Sequence, residues 1–110
     1  MNNDINNIYK PPIGIDKEEV FENLHLSKKI KIERIFTQKP YETPGEWFDQ
    51  PQDEWVLLLK GKAKLEFKND KIIEMNEGDY IFIPAHKIHR VYNSSKEPKC
   101  VWLAIHGKLK

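Results

Sequence analysis

The chain has 110 residues, 39% of them apolar and 32% charged, with 18 basic and 17 acidic side chains and one cysteine. That length supports one domain with one core, and a net charge of +1 supplies no basic excess to neutralise nucleic-acid phosphates. One cysteine excludes an internal disulfide, the N-terminal MNNDINNIYK has no apolar run of signal-peptide type, and no stretch reaches the ~20 apolar residues of a membrane span, so the chain reads as cytoplasmic, with no nucleic-acid or membrane partner.

In chain order, residues 1–15 are polar and Asn-rich and are broken by Pro11, Pro12 and Gly14, which predicts an extended arm. Asp16 followed by Glu19 reads as the acid-capped start of a short helical turn, with Phe21 and Leu24 to bury. The chain therefore divides into an arm with a short turn or helix over 1–27 and a strand-rich domain over 28–110. Lys28–Glu33 alternates polar and apolar, as a half-buried strand does. Trp55–Leu59 is a continuous apolar run, which fits a strand covered on both faces. Ala63, Leu65 and Phe67 alternate with charged residues, Asn69-Asp70 supplies a turn, and Ile72-Ile73 starts the return strand. A second turn at Asn76–Gly78 precedes Tyr80–Ile83, which Pro84 ends. His89–Tyr92 and Cys100–His106 complete six or seven short strands at even spacing. No helical period of useful length competes with them, so the pattern predicts an all-β antiparallel sandwich or barrel.

Four histidines are candidates for chemistry: His25, His86, His89 and His106. Imidazole binds metals and moves protons near neutral pH. His86 and His89 fall on opposite faces of a regular strand, but Pro84 places His86 in a turn, which leaves their convergence open. The segment before the apolar strand, EWFDQPQDEW, holds Glu46, Asp49, Gln50, Asp53 and Glu54. A carboxylate there is a ligand, an acid/base group or a solvated loop residue. His25 reads as surface, His106 as a packed or edge histidine, and Cys100 as a small buried apolar residue. Tyr80, Phe82 and Trp102 read as core.

Read together, two segments give more. Residues 78–93, GDYIFIPAHKIHRVYN, fit the pattern G-x5-P-x-G-x2-H-x3-N at Gly78, Pro84, His89 and Asn93, with His86 in place of the second glycine. Glu54 and Gly61 fit the end of the pattern G-x5-H-x-H-x3 or 4-E-x6-G. Its two histidine positions hold Phe48 and Gln50 with the shorter spacing, or Trp47 and Asp49 with the longer. On these motifs the chain resembles the cupin superfamily. The resemblance implies an antiparallel jelly-roll β-barrel with a divalent transition metal (Fe, Mn, Zn or Ni) inside it, beside a small-molecule ligand. Glu54 and His89 carry over as metal ligands, and Asp49 or Gln50 stands where histidines are missing; as an enzyme the chain would use His86 or Asp49 as its proton-transfer group. Dioxygenase, isomerase and lyase activities all fall within the resemblance, as does a metal-free binding or sensor barrel. If Glu54 points inward, so do Val56 and Leu58, and Trp55, Leu57 and Leu59 form an apolar outer face that predicts a homodimer.

Overall fold

The computed structural model describes residues 5–110, and among them every regular element is a β-strand. The strands are β1 (Glu19–Leu26), β2 (Ile30–Thr37), β3 (Asp53–Lys60), β4 (Ala63–Phe67), β5 (Ile72–Met75), β6 (Tyr80–Ile83), β7 (His89–Ser94) and β8 (Val101–Gly107). A five-stranded sheet in the order β1-β2-β8-β3-β6 faces a three-stranded sheet in the order β5-β4-β7, and every pairing is antiparallel. The all-β antiparallel architecture expected from the strand spacing is what forms, in the jelly-roll arrangement that the resemblance implies.

Alternation decides which side chains meet between the sheets. Val56 and Leu58 of β3, Trp102 and Ala104 of β8, and Ile83 of β6 project from the larger sheet. Ala63, Leu65 and Phe67 of β4 and Met75 of β5 meet them from the smaller one. Leu58, fully buried, sits near the centre. On the opposite face of the large sheet, Val20, Phe36 and Val101 form a second small cluster with Leu59 against it. Part of the apolar outer face of β3 is therefore covered within the chain. Trp55 and Tyr80 pack ring to ring at 5.3 Å on the rest of that face, and Tyr80 and Phe82 are exposed rather than in the core expected for them.

The segment expected to form a helical turn is instead strand β1, so the sheet begins before residue 28. Glu19 and Phe21 share one face and Val20 and Glu22 the other, a two-residue period. The pairing with β2 supplies the backbone partners that a lone helical turn would lack. A register shift between Asn23 and His25 marks a bulge near its end. The preceding arm is tied down at several points: Gln38 Nε2 donates to the carbonyls of Ile15 and Lys17 at 2.9 and 2.7 Å, and the Gln38 and Lys39 amides donate to the Glu18 carbonyl. The buried Arg34 guanidinium donates to the carbonyls of Ile8 and Lys10 and to the Glu22 carboxylate.

Gly61 turns the chain from β3 into β4 at φ 94°, and a Cβ there would lie 2.8 Å from Cys100 Sγ. Only glycine meets both demands. Cys100 itself is fully buried, and burial pushes its thiol pKa up, in keeping with an apolar role.

Candidate functional site

The inward face of the large sheet carries a row of polar residues among apolar ones. Glu54 on β3 lies directly opposite His106 on β8, and Glu33 on β2 lies diagonally across from His106, opposite Ala104. Same-face neighbours on adjacent strands are within reach of one another. His106 Nε2 is 3.2 Å from Glu33 Oε1 and 4.0 Å from Glu54 Oε2. His89 on β7 approaches from the small sheet, with Nε2 3.5 Å from Glu54 Oε1. Glu33, Glu54, His89 and His106 are all buried, at 4–8% exposed.

His89 is held from three sides. Its Nδ1 lies 2.9 Å from the Lys87 carbonyl, which places the proton on Nδ1 and turns Nε2 into the barrel. Its ring lies 5.9 Å from that of Phe48 and 6.1 Å from that of Phe67. Burial alone would lower the His89 pKa. The Glu54 carboxylate, by contact and by charge, and the Lys87 carbonyl together outweigh burial and raise it above 6.5.

These residues line one cavity of about 70 Å³, with Gln50, Glu19 and Phe48 at its wall and Val56, Leu65, Ile83 and Trp102 as its apolar lining. Two buried oxygens in it, Gln50 Oε1 and Glu54 Oε1, have no hydrogen-bond partner. The 3.5 Å approach of His89 is a charge contact without hydrogen-bond alignment. Leaving a buried acceptor unpaired costs about 1–3 kcal/mol, so both atoms call for a donor or a cation.

The loop before β3 is set by its backbone. Phe48 bridges His89 in both directions, at 2.7 and 3.1 Å, and the His86 amide donates to the Gln50 carbonyl at 2.8 Å. Phe48 and Gln50 thus face the cavity, while Asp49 between them faces out. The shorter motif spacing is the one realised, and Phe48 and Gln50 occupy the two histidine positions. Asp49 and His86 are not brought to the cavity. They are exposed and pair with each other at 2.9 Å, at the surface. His86 sits at φ 64°, a left-handed conformation that explains the glycine in that place of the motif. His25 is exposed, as expected.

The matching family model is that of the cupin domain, and it covers residues 34–106. The chain belongs to the cupin family. A crystal structure of a candidate mannose-6-phosphate isomerase from Ralstonia eutropha JMP134 superposes with a TM-score of 0.82 at 37% identity, covering 94% of this chain and 97% of that one. An RmlC-like cupin with a double-stranded β-helix fold from Methanocaldococcus jannaschii gives 0.69 at 15% identity, covering 94% and 92% of the two chains. The Fe(II) form of HppE gives 0.69 at 14% identity, over 84% of this cupin and 53% of that chain. The last two share the fold. No curated protein matches this cupin.

His106 is the site residue that sequence reasoning missed. Its membership follows from the β3–β8 register, which places it beside Glu54 across a long stretch of chain. Among the described residues, no three His, Cys, Asp or Glu side chains form a preset metal cluster. With the Gln50 amide counted, the donor set is one imidazole, one carboxylate oxygen and one amide oxygen. The carboxylate and amide oxygens are both orphaned, and a hard or borderline divalent ion fits them.

Proposed function

We propose that this cupin binds a divalent transition metal ion through Glu54, His89 and Gln50 and takes a small molecule into the same cavity. The observation that carries this reading is the pair of unpartnered buried oxygens, Gln50 Oε1 and Glu54 Oε1, in one cavity with His89. The His89 tautomer set by Lys87 leaves Nε2 as the free donor. When bound, the ion would polarise a carbonyl or hydroxyl oxygen of the ligand. His106, held against Glu33, is then placed to exchange a proton with that ligand, the role first considered for His86. Dioxygenase, isomerase and lyase chemistry are each compatible with this arrangement, as are iron, manganese, zinc and nickel. The exposed Tyr80 and Phe82 beside Trp55 are the surface on which a second copy would dock to form a homodimer, which light scattering tests.

The test is elemental analysis of protein purified without a metal-affinity tag. Near-stoichiometric metal is expected in the native chain, and Glu54→Ala and His89→Ala should each remove it. Unchanged metal in both variants, or none in the native protein, overturns the assignment.

One observation favours a second reading, a metal-free ligand-binding barrel. Both imidazole Nε2 atoms already face carboxylates, at 3.5 and 3.2 Å. The orphaned oxygens would then accept hydrogen bonds from the ligand itself. Ligand-induced stabilisation that survives EDTA treatment distinguishes it.

A further inference from the structure

The charge of the cavity wall is one-sided. Three carboxylates line it, Glu19, Glu33 and Glu54, and no lysine or arginine does. The cations on neighbouring strand positions are already engaged. Lys31 lies outside the lining, 3.7 Å from Glu33 Oε2, and Arg90 is bound to Glu66 at 2.7 Å. Glu54, only 7% exposed, turns an unpartnered oxygen into the space, and Gln50 does the same with its amide oxygen. What the cavity offers is acceptors. Its polar donors are limited to the imidazoles, the Gln50 amide and the Trp102 indole. With a divalent cation bound, two positive charges against three carboxylates leave no positive excess on the lining itself. At about 70 Å³ the space is narrow, and only the small end of a ligand enters it.

We infer that the cavity admits the hydroxyl or ammonium end of a small molecule and rejects phosphate and carboxylate ends. This names a substrate class for the site proposed above. It rests on the cavity being the ligand site and does not need the metal. A buried anion there would face carboxylates with no lysine or arginine in the lining, whereas a hydroxyl or ammonium group satisfies the orphaned oxygens. If the ligand is a sugar phosphate, its phosphate lies outside the barrel and its hydroxyl end inside.

NMR of the full chain tests this, with the His89 and His106 ring signals reporting on the cavity. Ethanolamine, glycolate and inorganic phosphate are titrated into zinc-loaded and into EDTA-treated protein. Ethanolamine should shift both rings at concentrations at least about tenfold lower than either anion, in both forms. Glu33→Gln should narrow that gap, and Glu19→Gln serves the same purpose if the first variant does not fold. Equal or tighter binding of glycolate or phosphate overturns the inference, as does silence of both rings toward ethanolamine. If zinc does not load but the preference holds, the metal assignment falls and this inference stands. Stoichiometric zinc with a preference for anions gives the reverse.

Discussion

Replacing Glu54 by Gln keeps the shape of the side chain and removes its charge, and its effect on the metal-free protein should depend on pH. At the 3.5 Å between Glu54 Oε1 and His89 Nε2, opposite unit charges attract by about 5 kcal/mol at an effective dielectric constant of ~20. Burial of both groups opposes that gain, so the net value of the charged pair is smaller, about 2–3 kcal/mol. The sign follows from His89. Its folded pKa is raised above 6.5, so the pair's contribution is fully present below that value and is lost as pH rises through the raised one. In the variant, His89 has lost its anion and sheds its proton more readily, its pKa falling below that of the parent. The destabilisation should therefore be about 2–3 kcal/mol near pH ~5.5 and smaller near pH ~8.5, falling as pH rises through the raised His89 value. Urea denaturation of EDTA-treated protein at the two pH values measures it, and His89 ring NMR gives the pKa directly. A difference that is flat with pH, or that grows toward high pH, refutes the account of the pair.

Gly61→Ala should cost about 2–4 kcal/mol in chemical denaturation, the sum of left-handed strain and a Cβ pressed 2.8 Å from Cys100 Sγ. Adding Cys100→Ala should return at most part of that loss, because φ stays at 94° and the added Cβ still meets Ser95 Oγ at 3.0 Å and the Cys100 Cα at 3.1 Å. His86→Gly should leave metal content unchanged and shift stability between neutral and about 1 kcal/mol upward in urea midpoint, since the exposed pair with Asp49 is worth little against backbone strain. Gln50→His, alone or with Phe48→His, should raise zinc affinity by at least about tenfold per added imidazole in a competitive chelator titration. No gain would show that these positions do not face the ion.

The strands from β2 onward were legible because alternation and turn residues are local signals, and both motif glycines, Gly61 and Gly78, fall where φ is positive. β1 was not, because Asp16 and Glu19 imitate a helix cap, and only pairing with Ile30–Thr37 makes that stretch extended. Glu54 and His89 could be named from the motifs. The choice between Asp49 and Gln50 could not. It turns on the Phe48–His89 bridge and the His86–Gln50 backbone bond, which tie two segments distant in sequence. His106 was hidden for a related reason: its neighbours Trp102 and Cys100 suggested packing, and nothing local encodes the register that sets it opposite Glu54.

The placement of the polar residues also explains how binding and folding are linked. Glu33, Glu54 and His106 belong to the five-stranded sheet and His89 to the three-stranded one. Elsewhere the sheets meet through apolar packing, which is non-directional and tolerates small slips. At the site they meet through a pair whose geometry is fixed, with an oxygen left open on each of two segments. A cation or a donor group that closes those valences joins both sheets and the loop carrying Gln50 at one point. Whatever fills the cavity therefore binds the assembled barrel and not the open chain, and it must stabilise the fold by mass action as its concentration exceeds its dissociation constant.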